Sequence, residues 1–74
     1  MKLSSLKRGE KFLIVRTDTD GETRSRLAAF GFSSGVAGRV VAFSCGKGVR
    51  IELCGRFVGV EKTVAERTEV EKIS

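Results

Sequence analysis

The chain has 74 residues, with 14 Lys and Arg against nine Asp and Glu, two cysteines and no histidine. This length supports one small core, so we expect a single domain over residues 1–74. The lack of histidine excludes the nitrogen-rich sites that commonly hold Fe(II) or zinc. Since no apolar run approaches the roughly 20 residues that cross a bilayer and the N-terminus lacks the pattern of a signal peptide, we expect a cytoplasmic protein.

The first predicted element is a strand over Lys11–Thr17. Its central run, Phe12-Leu-Ile-Val15, is apolar at every position. Alternation along the chain therefore does not show which side of this strand faces the core.

A helix is predicted to begin near residue 20. Thr19 or Asp20 can cap its start, and Thr19 with Glu22 has the spacing of a capping box. Such side chains supply acceptors for backbone amides that have no partner within the helix.

The same helix is predicted to end at Gly31, because the residue after a last turn often adopts a positive φ. Leu27 and Phe30 are three residues apart and form an apolar stripe that we expect to be buried.

A hairpin is predicted next, with strands over Gly38–Cys45 and Val49–Cys54 and a three-residue loop over 46–48. The register that this loop implies places Val49 opposite Cys45, Ile51 opposite Phe43 and Leu53 opposite Val41. All six of these side chains are then expected on the buried face.

The remaining segments predict a strand over Arg56–Val60, one helical turn over Thr63–Glu66 and a last strand over Arg67–Glu71. Val58 and Val60 alternate with exposed positions and are expected to face inward. The pattern is typical of an all-β fold with one short inserted helix, a small SH3-like barrel of five strands, closed so that few edges remain.

Three groups of residues, found in this order, give the chain a resemblance to the FeoA family. They are Leu3-x-x-Leu6-Lys7-x-Gly9-Glu10, then Gly21-Glu22-x-Arg24-x-Arg26-Leu27-x-x-Phe30-Gly31-Phe32-x-x-Gly35, then Gly55 to Val60 followed by Ala65 and Val70. The sequence departs from the family at the hairpin tip, Cys45-Gly46-Lys47-Gly48, at Gly38, and at Gly59, where relatives usually have alanine.

The resemblance implies an SH3-like protein of the bacterial cytoplasm that assists ferrous iron uptake. Its partner would be the cytoplasmic GTPase domain of FeoB, a membrane transporter, through which the protein would reach the inner membrane without inserting into it. Similar domains are also fused to metal-dependent repressors, which keeps a metal-responsive module as an alternative. Whether the protein forms a homo-oligomer stays open.

We expect the docking surface to include Arg24 and Arg26 on the helix, Gly31 and Phe32 at its exit, and Phe57 on the outward phase of its strand. Guanidinium groups suit carboxylate or phosphate partners. The alternative is that both arginines only contribute to solubility and stabilise the helix.

The cysteines are expected to have structural roles. In the hairpin register above, Cys45 points into the core and Cys54 points out, too far apart for a disulfide or a shared metal ion. Cys54 with a carboxylate, especially across a dimer, is a weak metal candidate. No cofactor is expected.

Nucleic-acid binding and catalysis have less support. Single-strand binders stack bases on exposed aromatic rings, and with Phe30 and Phe43 placed in the core and Phe12 and Phe32 undecided, only Phe57 offers one. The sequence has no catalytic Cys–His pair and no phosphate-binding loop, so we expect no enzyme activity.

Overall fold

A computed structural model describes residues 1–44 and 46–73 of the chain. The chain begins with a short 3-10 helix, Leu3–Ser5, before the first strand. The other elements, in order, are β1 (Lys11–Thr17), α1 (Gly21–Ala29), β2 (Ala37–Ser44), β3 (Gly48–Leu53), β4 (Arg56–Glu61), α2 (Lys62–Glu66) and β5 (Thr68–Lys72).

The five strands form one antiparallel sheet in the order β4-β3-β2-β1-β5. The predicted all-β, SH3-like fold with its inserted helix is confirmed, and so is the helical turn before the last strand. The predicted closure is incomplete, because β4 and β5 lie at opposite ends of the sheet and are joined in sequence by α2. None of the described helices is long and apolar enough to cross a membrane.

The core lies inside the curved sheet. On β1 the inward residues are Phe12 and Ile14, which settles the phase that the apolar run left open, while Val15 is exposed. Val58 and Val60 face inward as predicted. The remaining buried apolar residues are Leu3, Leu6, Phe32, Val40, Val49, Ile51, Leu53, Val64, Ala65 and Val70.

The predicted register of the β2–β3 hairpin is wrong. Val49 pairs with Phe43, Ile51 with Val40 and Leu53 with Gly38, and the register shifts between Val40 and Ala42. The bulge makes Val41 an extra residue in β2 and shifts the alternation there, so the fully buried side chain is Val40 rather than its neighbour at 41.

Phe43, predicted in the core, is 46% exposed. Phe43 pairs with Val49, and only one further pair, Ser44 with Gly48, follows before the β2–β3 ladder ends. Near the end of the ladder fewer neighbours cover the ring. The predicted core position of Cys45 lies outside the described residues.

A two-residue turn joins β3 to β4. Cys54 and Gly55 have φ values of 52° and 80° between the paired residues Leu53 and Arg56. Two consecutive positive φ values are typical of the type I′ turn that suits the twist of a hairpin. Cys54 is exposed, as predicted, but it lies in this turn rather than in the strand.

Candidate docking surface

Helix α1 begins at a capping aspartate. The Oδ1 atom of Asp20 accepts a hydrogen bond from the backbone N–H of Thr23 at 2.9 Å. Hydrogen bonding from the side chain and backbone of Thr23 holds the pKa of Asp20 below its ordinary value. Of the two predicted caps, Asp20 is the one used. The predicted Thr19–Glu22 capping box is wrong, since the Thr19 hydroxyl is directed at the Asp20 carbonyl oxygen, 3.5 Å away.

The end of α1 decides which aromatic side chain is buried. Gly31 has a φ of 88°, its N–H donates to the Ala28 carbonyl, and the Phe32 N–H donates to the Leu27 carbonyl, both at 3.0 Å. These two bonds define a Schellman motif, in which the residue after the glycine packs toward the last helical turn. Phe32 is therefore buried, and Phe30 is 58% exposed.

Two predictions are corrected by this motif. Phe30 is not a core residue, because the chain reverses at Gly31 before its ring can turn inward. Phe32 is not a surface residue, since it is only 2% exposed. Its side chain supports the helix exit instead of offering contact area.

None of the residues of α1 is buried. Leu27 is partly buried and packs against the core. Arg24 and Arg26 are exposed, and neither forms a salt bridge within the described part of the chain. An Arg24 Nη atom donates to the Thr19 carbonyl oxygen at 2.8 Å. This bond holds the guanidinium beside the helix start.

A cleft of about 770 Å³ separates α1 from β4 and α2. Its apolar lining comes mainly from Leu27 and Phe30 on one side and Val64 on the other. The polar and glycine residues that line it are Thr19, Asp20, Thr23, Arg26, Gly59, Glu61, Thr63 and Arg67. The cleft thus combines apolar surface with charged groups of both signs.

The two arginines of α1 line different clefts. Arg26 lines the larger cleft, and Arg24 lines a smaller one of about 440 Å³. The smaller cleft also contains Arg16 of β1 and Asp18. A partner that contacts both arginines must therefore span the helix rather than enter one cavity.

Phe57 is 65% exposed, on the outward phase predicted for it. It lies two residues along β4 from Gly59, which lines the larger cleft. Of the predicted docking residues, Arg26 lines this cleft, whereas Gly31 and Phe57 are not part of its lining. Their contact with a partner stays a prediction.

The weak metal candidate, Cys54, lies at the tip of the β3–β4 turn. Within residues 1–44 and 46–73, no group of three or more Cys, Asp or Glu residues is placed to hold a metal ion.

Sequence reasoning missed three surface residues, which are Phe30, Gly59 and Arg67. The signal for Phe30 was present, because a helix followed by Gly31 and then an apolar residue is the pattern of a Schellman motif. Arg67 and Gly59 are distant from α1 in sequence, and only the fold brings them beside it.

Comparison with known proteins agrees with the fold. The protein named FeoA from Chlorobium tepidum is 25% identical, with a TM-score of 0.93, and the match covers 100% of this chain and 71% of that one. Iron(II) transport protein A from Clostridium thermocellum is 30% identical, with a TM-score of 0.90, covering 99% and 46% of the two chains. A crystal structure named iron uptake regulatory protein (FeoA) is 23% identical, with a TM-score of 0.89, and the match covers 99% of this chain and 97% of that one. At this identity the similarity supports the shared fold only.

No curated protein matches the sequence significantly. The FeoA domain family, however, matches residues 1–72, which include the capped helix, the Schellman motif and all five strands. A match over nearly the whole sequence, together with the shared fold, shows that this chain belongs to the FeoA domain family.

Proposed function

We propose that the protein is a non-catalytic accessory protein of ferrous iron uptake that docks on the cytoplasmic GTPase region of the FeoB transporter and modulates its activity. The FeoA family is associated with ferrous iron transport, and the 30% identical relative is named an iron(II) transport protein. The observation that carries the docking proposal is the exposed surface of α1.

Helix α1 is held at its ends, and only one of its apolar side chains, Leu27, is partly buried against the core. It has nine residues, none of them buried, and isolated helices shorter than about 12 residues are marginal in water. Its cap at Asp20 and its Schellman motif at Gly31 compensate locally. A partner that covers Leu27 and Phe30 would remove apolar surface from water, which favours association.

The arginines of this surface favour carboxylate groups on a partner, and they lie beside two acidic residues of the same cleft, Asp20 and Glu61. The protein has a net charge of +5, and the α1 region contributes Arg24, Arg26 and, across the cleft, Arg67. Guanidinium groups form strong paired hydrogen bonds with carboxylates. Positive charge also speeds encounter with a negatively charged surface, most strongly at low salt.

Modulation requires that the protein bind one conformational state of the GTPase region better than another. A bound protein shifts an equilibrium only as far as its affinities for the two states differ. Contacts made by α1 in one nucleotide state and lost in the other would supply that difference.

The binding test uses purified GTPase domain and charge reversals on and off the helix. Arg24→Glu and Arg26→Glu should each weaken binding by about tenfold or more, because each replaces an attraction with a repulsion at the interface. Arg8→Glu makes the same change in net charge outside α1 and serves as the matched control. Equal losses in all three variants, with unchanged melting temperatures, would show only a general charge effect and contradict docking through α1.

The modulation test measures GTP hydrolysis by the domain with and without saturating protein. The wild-type chain should change the rate, and Arg26→Glu should reduce that change. A rate that stays constant while binding is demonstrated would leave docking in place and overturn modulation.

A further inference from the structure

Strand β4 is an unpaired edge of the sheet. It pairs with β3 on one side and stands at the end of the strand order. The opposite edge strand, β5, is partly covered by the N-terminal residues. The Val70 N–H donates to the Met1 carbonyl oxygen at 2.8 Å, and Lys2 forms an isolated antiparallel β-bridge with Glu69. Among the described residues, no further segment makes a backbone hydrogen bond to Phe57 or Gly59 of β4.

The turn before β4 decides which of its backbone groups face outward. In a two-residue hairpin the closing pair, here Leu53 and Arg56, exchanges hydrogen bonds, and the bonded pairs then alternate along the ladder. Val58 and Val60 therefore bond to β3. The N–H and C=O groups of Phe57 and Gly59 point away from the sheet.

Gly59 makes the edge accessible. It is exposed although it has no side chain, so the surface that it shows to solvent is backbone. A Cβ atom at this position would have no neighbour within 4 Å. A free strand edge of this kind is a template for pairing with another extended chain.

The space beside this edge is the cleft of about 770 Å³, which has Gly59 and Glu61 on one wall and Leu27 and Phe30 of α1 on the other. An added strand lies about 4.8 Å from the strand it pairs with. Its side chains alternate between the two faces of the sheet, so alternate residues can contact the apolar wall of α1.

We propose that the β4 edge binds an extended segment of a partner protein by strand addition, with apolar residues against Leu27 and Phe30 and acidic residues near Arg26 and Arg67. This inference deepens the proposed function and rests on it only for the identity of the partner. In strand addition, main-chain hydrogen bonds supply affinity and alternate side chains supply specificity.

Charge favours such a segment over a second copy of this chain. Two copies would each carry a net charge of +5 and repel each other. Asp20 and Glu61 line the same cleft as Arg26 and Arg67, but within the described part of the chain neither arginine forms a salt bridge, so both guanidinium groups can pair with carboxylates of a partner.

A pair of variants at one position isolates the outward donor. Gly59→Pro removes the N–H that faces away from β3, a substitution that edge strands tolerate on their solvent side. Gly59→Ala adds a Cβ atom, which would have no neighbour within 4 Å, and keeps the donor. Loss of a hydrogen bond and obstruction by the ring should make Gly59→Pro bind roughly tenfold more weakly than Gly59→Ala. Melting temperatures check that both variants are folded.

The probe is a seven-residue synthetic peptide of alternating glutamate and valine with blocked ends, titrated at physiological salt and followed by NMR. Saturable shifts at residues 57–61 and in α1, slower exchange of the Gly59 amide, and weaker binding by Gly59→Pro support strand addition. A peptide in which every residue is serine controls for non-specific effects. Absence of saturable shifts, or equal affinities of the two variants, would overturn the inference.

The same two variants are then tested against the GTPase domain. If that domain binds both equally and leaves the exchange of Gly59 unchanged, the strand-addition mode fails while docking stands. If the domain does not bind the wild-type chain, the proposed function fails, and the peptide titration still decides the inference. Protection of Gly59 that rises with protein concentration alone would identify a second copy as the occupant and overturn the proposed partner.

Discussion

Gly38 illustrates how a single missing side chain shapes this core. A Cβ atom built there would lie 2.6 Å from Leu53 Cδ2 and 2.8 Å from both Phe12 Cζ and the Glu52 carbonyl oxygen. Glycine at this position lets two buried side chains from β1 and β3 meet across β2. The departure from the family pattern at Gly38 thus has a packing reason.

Gly38→Ala should therefore destabilise the fold by about 1 to 3 kcal/mol, the range for overpacking a filled core. Urea unfolding measures the change. Gly59→Ala adds the same atom on the outer side of the sheet, in open space, and is the matched control. Equal unfolding midpoints in the two variants would contradict the close packing at Gly38.

Asp20 should stabilise α1 through its side-chain oxygen. Asp20→Ala removes the acceptor for the Thr23 N–H, so it should lower the melting temperature and reduce helical circular dichroism. Asp20→Asn keeps an acceptor oxygen and should retain more stability. The account of the cap would be wrong if the alanine variant melted at or above the temperature of the asparagine variant.

The fates of Phe30 and Phe32 were predictable at the level of single residues. The order Leu27, Gly31, Phe32 carries the Schellman pattern, which indicates that the phenylalanine after the glycine packs inward. The spacing of three residues between Leu27 and Phe30 predicted burial of Phe30 instead. The Schellman motif at the end of the helix decides the outcome, since it buries Phe32.

At the scale of elements, the bounds of two strands were predicted closely. β1 has the predicted bounds, and β4 extends the predicted strand by one residue, to Glu61. The β2–β3 register was not predictable in the same way, because the bulge between Val40 and Ala42 leaves no signature in a run that is apolar throughout. In the structure the buried valine is Val40, which pairs with the buried Ile51.

Helix α1 and the sheet should differ in their sensitivity to truncation. Ile51 is fully buried on β3, and Leu27 on α1 is only partly buried. Ile51→Ala should cost about 2 to 5 kcal/mol, whereas Leu27→Ala should cost about 1 to 2 kcal/mol, since part of its side chain already contacts water.

Chemical denaturation of both variants tests this difference. If Leu27→Ala were as destabilising as Ile51→Ala, α1 would be an integral part of the core. Its availability as a docking surface would then be doubtful.

At the scale of the whole molecule, a salt bridge connects the last strand to the segment before the first strand. Lys72 at the end of β5 pairs with Glu10 before β1 at 2.6 Å, and the Lys7 N–H donates to Glu10 Oε1, also at 2.6 Å. The hydrogen bond from Lys72 and then that from Lys7 hold the pKa of Glu10 below its ordinary value. The charged form of Glu10 therefore stabilises the folded state.

Because the pKa is lowered on folding, this stabilisation is fully present above the ordinary glutamate value of about 4.3 and is lost as the pH falls through the lower, folded-state value. The urea midpoint should therefore drop between pH 5 and pH 3. The drop should be smaller in Glu10→Gln, which has no carboxyl group to protonate at position 10. Identical pH profiles for the two proteins would contradict the role of Glu10.

The fold as a whole was predictable from sequence, whereas the candidate site was predictable only in part. Arg24, Arg26 and Phe57 are exposed as expected, since each has a clear position on a helix or strand. The cleft was not foreseen, because it depends on Gly59 and Arg67, which the fold places beside a helix more than 25 residues away in sequence.

The most direct test of docking through α1 and β4 is amide hydrogen exchange across the whole protein, with and without the GTPase domain of the transporter. Binding should slow amide exchange in residues 20–31 and 57–61 and leave the exchange rates of β1 and β2 unchanged. Slowed exchange confined to β1 and β2, or no change at saturating partner, would contradict the account.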